Sequence, residues 1–133
     1  MKELELKEPP IDSPIKKNKQ KKQRAIAFDF DGVIHQYSGW NEGQLGEPIV
    51  GAADLIKLLQ ANGAEVIIFT AREEDSISAW LIKHDINVST ITNEKLPRID
   101  VFVDDRAWCF LPLDYEDITL FANRLLTFKP YWA

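Results

Sequence analysis

The sequence predicts an α/β fold with a mainly parallel central sheet and helices on both of its faces. Two short apolar runs, "AIAFDF" from residue 25 and "AEVIIFT" from residue 64, have the near-continuous hydrophobicity of strands buried on both sides. Each is followed by a segment with helical spacing, and strands alternating with helices form βαβ units. Polar residues stand where the apolar runs stop, and open sheets of this kind bind ligands beyond the carboxyl ends of their strands.

The domain is expected to begin near Arg24. After the first strand, "DGVIHQYSGWNEGQLGEPIVG" is rich in glycine and reads as turns and an irregular flap. "AADLIKLLQANG" is a helix, with Leu55, Leu58 and Leu59 at helical spacing and Asn62-Gly63 as its stop. The second strand ends at Thr70. A second helix over residues 73–84 places Ile77, Trp80 and Leu81 on one face. Glu73, Glu74 and Asp75 at its start and Lys83 and His84 at its end suit the helix dipole. "INVSTIT" is a weaker third strand, and "RIDVFVDD" a fourth that ends in a second pair of acids. Asp114 reads as the N-cap of a last helix containing Ile118, Phe121 and Leu125.

A chain of 133 residues suffices for one domain. No apolar run approaches the ~20 residues of a membrane span, and "MKELELKEPP" lacks the apolar region of a secretory signal. Cys109 is the single cysteine, which excludes an intrachain disulfide and fits a reducing cytoplasm; it reads as a small buried thiol. Residues 1–24 carry a net charge of +4 and the remainder −9, within an overall −5. Residues 1–23 therefore read as a flexible basic leader and 24–133 as the folded domain. The leader could touch nucleic acid, but the acidic body argues against a nucleic-acid groove.

Asp29 and Asp31 end the first strand, Thr70 the second, and Asp104 and Asp105 the fourth, so these carboxylates and a hydroxyl converge on one sheet edge. Like charges held so close require protons or a cation. Carboxylates without His or Cys partners favour a hard cation, most commonly Mg²⁺ held through one or two carboxylates with phosphate and water. On a phosphate substrate one carboxylate can act as nucleophile. A second, kept partly protonated by its acidic neighbours, can protonate the leaving oxygen and then activate water.

In these residues the chain resembles the haloacid dehalogenase-like (HAD) superfamily. "DFDGVIH" resembles its first motif, "VIIFTAR" its second and "VFVDDRA" its fourth; Lys95 in "NEKLPRID" stands where the third motif's lysine would. The resemblance implies a Rossmann-like three-layer sandwich and a Mg²⁺-dependent phosphatase. In it Asp29 is the nucleophile, Asp31 the general acid/base, and the Asp29 carboxylate and Asp31 carbonyl bind the metal. Asp104 and Asp105 complete the metal site, either one being the direct ligand. Thr70 and Lys95 hold the phosphoryl group, with Ala71 and Arg72 beside them on the substrate. An acid at Asp31 points to phosphoryl transfer rather than dehalogenation. Val33 stands where many members carry Thr.

Neither Asp31 to Thr70 nor Thr70 to Lys95 leaves room for a folded insert, so no cap domain is expected. In the superfamily that implies a large substrate that shields the site or a cover from a neighbouring subunit, the latter making a homo-oligomer; small-molecule phosphatases without caps also occur. The expected partner is a small phosphorylated substrate such as a nucleotide or sugar phosphate. The alternatives are a phosphatase of nucleic-acid ends and a non-catalytic binding or regulatory module.

Around these residues simpler roles stand open. Thr70 also suits a helix N-cap, Lys95 a surface lysine, and Arg72 a salt bridge to a nearby acid. Arg106 suits a brace for the acid pair, and His35 and His84 suit structural positions. Tyr37 and Trp40 could stack on a base or sugar, or pin the flap. Tyr131 and Trp132 could pack on the body or against a second copy.

Overall fold

The computed structural model describes residues 23–133, so nearly all of the expected basic leader lies outside the described residues. The chain runs β1 (Ala25–Asp29), α1 (Ala52–Ala61), β2 (Glu65–Phe69), α2 (Glu74–Lys83), β3 (Thr90–Thr92) and β4 (Val101–Val103). A short 3-10 helix (Pro112–Glu116) and α3 (Ile118–Thr127) follow. The strands form one sheet in the order β3-β2-β1-β4, with every pairing parallel. This is the Rossmann-like α/β architecture expected, and among the described residues no separate domain interrupts it.

Alternation along the strands sorts their side chains between two cores. Phe28, Val66 and Ile68 face Ile56 of α1 and Ile77, Trp80 and Leu81 of α2. Ala25, Ala27 and Ile67 face the other way, with Phe69 and with Ile99 from the β3–β4 connection. Helices α1 and α2 therefore lie on one face, and the larger core is there. Burial of such side chains is the main stabilising term; truncating the fully buried Ile56 to Ala costs about 2–5 kcal/mol.

Several local expectations need correction. On α1 the sheet covers Ile56 and Leu59, while Leu55 and Leu58 are exposed, because the helix's apolar arc is wider than the stripe the sheet meets. The third and fourth strands shrink to three residues each; both are edge strands, β3 paired with the last three residues of β2 and β4 with the middle three of β1. Asp114 does not cap α3. It lies in the 3-10 helix, where it accepts from the Leu111 N–H at 2.9 Å and from Trp108 Nε1 at 3.0 Å. The cap of α3 is Asp117, whose Oδ1 accepts from the Leu120 N–H at 3.0 Å. Cys109 is exposed rather than buried, because it follows the end of β4 on an irregular surface segment.

The flap leaves β1 through a turn at Gly32 and returns to α1 at Gly51. Inside it the Gln36 N–H donates to Glu47 O at 2.8 Å and the Ile49 N–H to Ile34 O at 2.8 Å, so its two limbs pair back to back. Trp80 Nε1 donates to Gly46 O at 3.0 Å, pinning the flap to α2.

Candidate active site

The carboxyl ends of β1, β2 and β4 bring the polar residues together. A cleft of about 460 Å³ is lined by Asp29, Asp31, Tyr37, Trp40, Thr70, Ala71, Arg72 and Arg106. That volume lies within the range of small-ligand sites. Beside it, carboxylate oxygens of Asp29, which lines the cleft, and of Asp104 and Asp105, which do not, lie within 4.8 Å of one another. Asp29 Oδ2 and Asp105 Oδ1 are buried without a hydrogen-bond partner.

Electrostatics separate Asp29, at the end of β1, from Asp31 just beyond it. Burial, with Asp105 and Asp104 facing it, pushes Asp29 up to about 8. As carboxylates Asp29 and Asp105 have nothing to donate, so only a shared proton makes their approach a hydrogen bond. Orphaned acceptors, raised affinity for a proton and an all-oxygen donor set fit a hard divalent cation such as Mg²⁺.

Asp31 differs. Burial opposes its charge, but the His35 and Arg72 hydrogen bonds outweigh that and hold it below the usual carboxylate range. Its Oδ1 meets His35 Nε2 at 2.6 Å and Arg72 Nε at 2.8 Å. The Gly46 N–H donates to His35 Nδ1 at 2.9 Å, so Nδ1 carries the lone pair and Nε2 carries the proton given to Asp31. The expectation that acidic neighbours keep Asp31 partly protonated is therefore corrected: that description fits Asp29. Nor is the Asp31 carboxylate part of the acidic cluster.

Arg72 forms the salt bridge that its simpler reading anticipates, with Asp31. Its side chain is 7% exposed. Nη1 donates to Gly43 O at 3.1 Å, and the guanidinium lies 4.8 Å from the centre of the Trp40 ring. Nη2 is buried with no partner. Thr70 Oγ1 accepts from the Arg72 N–H at 3.1 Å, which shapes the turn after β2 and leaves the hydroxyl proton free to donate into the cleft. It is not the cap of α2; Glu73 holds that position. Lys95 stands apart from the cleft, over the Phe102 ring at 5.4 Å from its centre, and no hydrogen bond or ion pair joins it to Asp29. Arg106 braces the acid pair through its backbone, donating its N–H to Asp104 Oδ1 at 2.8 Å.

Sequence reasoning passed over two contributors, Gly32 and Gly46, and left the placement of a third, Trp132, open. Gly32, directly after Asp31, has φ +79, and a Cβ there would meet Asp105 Oδ2 at 2.5 Å and Trp132 Nε1 at 2.9 Å. The signal available was the glycine following a strand-end acid. Gly46 sits close against Gln36 O and serves both His35 and Trp80 through its backbone. Trp132 donates to Asp105 Oδ2 from 27 residues away, which no local pattern reveals. His35 is fully buried, as its structural reading allows, and His84 packs on Trp80 at 4.3 Å between ring centres.

A solved structure of a conserved protein coded by a locus from Bacteroides thetaiotaomicron is similar to this chain. It superposes with a TM-score of 0.55 at 27% sequence identity, over 74% of this chain and 92% of that one. The likeness supports the α/β fold. No family model and no curated protein matches the sequence. Among the described residues no helix is long and apolar enough to cross a membrane.

Proposed function

We propose that this chain is a Mg²⁺-dependent phosphatase of the HAD type, hydrolysing phosphomonoesters through an aspartyl-phosphate on Asp29. The observation that carries the reading is the buried, unpartnered Oδ2 of Asp29, a residue that lines an open cleft and clusters with Asp104 and Asp105. Asp29, Asp104 and Asp105 would hold the cation, with the Asp31 carbonyl as the resemblance assigns. When bound, the ion shields the attacking carboxylate and polarises the phosphoryl oxygens.

The Asp29 carboxylate attacks phosphorus, forming an oxygen–phosphorus bond as the bond to the leaving oxygen breaks. Asp31 gives that oxygen a proton, then takes one from the water that hydrolyses the aspartyl-phosphate. His35 and Arg72 hold Asp31 ionised at rest, the state needed for the second step. For the first step Asp31 must be protonated. A phosphoryl group beside the free Arg72 Nη2 draws the guanidinium's charge away from Asp31 and favours that proton. Thr70 donates to a phosphoryl oxygen, and Arg72 and Arg106, which line the cleft, supply the positive charge. A nucleotide or sugar phosphate suits the cleft, where Tyr37 and Trp40 offer aromatic surface. A reducing cytoplasm suits the lone exposed thiol of Cys109.

The test is a panel of phosphomonoesters assayed with Mg²⁺ and with EDTA, on the wild type and Asp29→Asn. Turnover that depends on Mg²⁺ and is lost in Asp29→Asn is expected. Turnover in EDTA, or an active Asp29→Asn, overturns the mechanism, and absence of turnover together with capture of a partner favours the binding module.

A further inference from the structure

The segment after α3 returns to the acids at the end of β4. Its Trp132 indole N–H donates to Asp105 Oδ2. Tyr131 Oη donates to Gly32 O at 2.9 Å, across 99 residues of chain. The Trp132 ring meets Tyr37 edge-on, with centres 4.9 Å apart. Three contacts from two adjacent residues thus reach the β1 turn, the flap and the second acid pair. The helix before them does not account for this placement, since Ile118, Leu125 and Leu126 of α3 are exposed.

The indole takes one oxygen of Asp105 and leaves the other. Oδ2 is held, while Oδ1 is the buried, unpartnered atom of that carboxylate and belongs to the residue that faces Asp29. A carboxylate free to rotate can turn either oxygen to a cation or swing away, whereas one with an oxygen fixed presents the other in a set direction. Partners of this kind, acting through a ligand, commonly change metal affinity by 10–100-fold. Gly32 is part of the same arrangement, because only a residue without Cβ leaves room for the indole N–H and Asp105 Oδ2 to meet beside it.

We infer that Trp132 is a positioning residue for the cation site: by holding Asp105 Oδ2 it directs Asp105 Oδ1 at the metal and makes Asp105 a direct ligand. This rests on the metal site proposed above.

The experiment measures Mg²⁺ affinity by titration calorimetry for wild type, Trp132→Phe and Asp105→Asn, with no substrate present. Trp132→Phe keeps a ring against Tyr37 and loses the N–H, so Kd is expected to weaken at least about tenfold while circular dichroism stays unchanged. Asp105→Asn is expected to lose binding further. The indole N–H resonances give a readout independent of affinity. The one that vanishes in Trp132→Phe should shift on addition of Mg²⁺ to the wild type. An unchanged Kd in Trp132→Phe, or a Trp132 resonance indifferent to Mg²⁺, overturns the inference while leaving the metal site standing. A wild type that binds no Mg²⁺ overturns both. Should Trp132→Phe fail to fold, the resonance of the wild type, assigned through its neighbours, still decides the matter.

Discussion

Asp29 and Asp31 are chemically identical and separated by one residue, yet the fold gives them opposite characters. Asp29 ends β1 among other acids, and its pKa is pushed up to about 8 by burial and by Asp105 and Asp104. Asp31 begins the flap, where His35 and Arg72 hold its pKa below the usual range against the opposing effect of burial. Phe30, fully buried between them, keeps the two apart by anchoring in the core under His35 and Trp80. The lesson is that a two-acid motif is an electrostatic pair only through what surrounds each member. One side of the motif calls for a cation, and the other is already neutralised by the protein.

The contrast breaks most visibly under the paired substitutions Asp29→Asn and Asp31→Asn. On the proposed mechanism both lose turnover, Asp29→Asn by at least about 10³-fold as a lost nucleophile and Asp31→Asn by about 10²–10⁴-fold as a lost acid/base. Their stabilities should move in opposite directions. In EDTA, Asp29→Asn removes a carboxylate that must take up a proton on folding or stay charged among acids, and should raise the thermal midpoint. Asp31→Asn leaves the buried Arg72 guanidinium without its countercharge and should cost about 1–3 kcal/mol. Thermal melts of the two variants side by side decide this, and two shifts of the same sign would show that the environments are not opposed.

Gly32 joins the two sides, lying between Asp31 and the Asp105–Trp132 contact. Gly32→Ala must adopt φ +79, which costs an L-residue about 1–2 kcal/mol, and its Cβ must also displace Asp105 Oδ2. A destabilisation above that figure is expected, together with weaker Mg²⁺ binding. Chemical denaturation of the variant in EDTA isolates the first effect, and calorimetry of its folded form the second. A variant with normal stability and metal affinity would show that the approach relaxes easily.

These residues also mark how far the sequence could be read. The strands, α1, α2 and the convergence of Asp29, Asp31, Thr70, Asp104 and Asp105 on one edge were legible, because apolar runs and strand-end position are local signals. Edge strand lengths were not, since they depend on how far a neighbour's ladder extends. Asp114 and Asp117 stand three apart with equal capping chemistry, and only the intervening 3-10 helix decides between them. Asp31 is met by His35, four residues on in an irregular flap, and by Arg72 from the turn after β2, while Trp132 reaches Asp105 from beyond α3. Irregular backbone hides the first pairing, and contacts between distant segments such as the other two leave no trace in spacing that names the partner.

Asp29 also gives the pair a pH signature. With no metal, its folded pKa of about 8 lies above the unfolded value near 3.8, so its contribution is fully present below pH ~4. It is lost as pH rises through 8. The protein in EDTA is therefore expected to lose stability between about pH 4 and pH 8, in contrast to the Asp31 side, whose lowered pKa contributes stability lost only in acid. Added Mg²⁺ competes with the proton on Asp29, so the rise in thermal midpoint on saturation with the ion should be larger at pH 8 than at pH 5. Equal rises at the two pH values would remove Asp29 from the metal site.

The smallest structural effect is expected at Lys95, and it sharpens the question of which cation serves the Asp29 side. Resting over Phe102, Lys95 contributes at most a cation–π contact, and Lys95→Met should change stability by less than about 1 kcal/mol. Arg72 is buried in the cleft with Nη2 unpartnered, whereas Lys95 touches neither Asp29 nor the cleft lining. Lys95→Met is accordingly expected to weaken turnover less than Arg72→Met, with most of its loss in KM. Comparing kcat and KM for the two variants on one phosphomonoester tests this order. A Lys95→Met enzyme that loses kcat as completely as Asp29→Asn would reverse it, because the lysine would then have to leave Phe102 and reach the phosphoryl group during turnover.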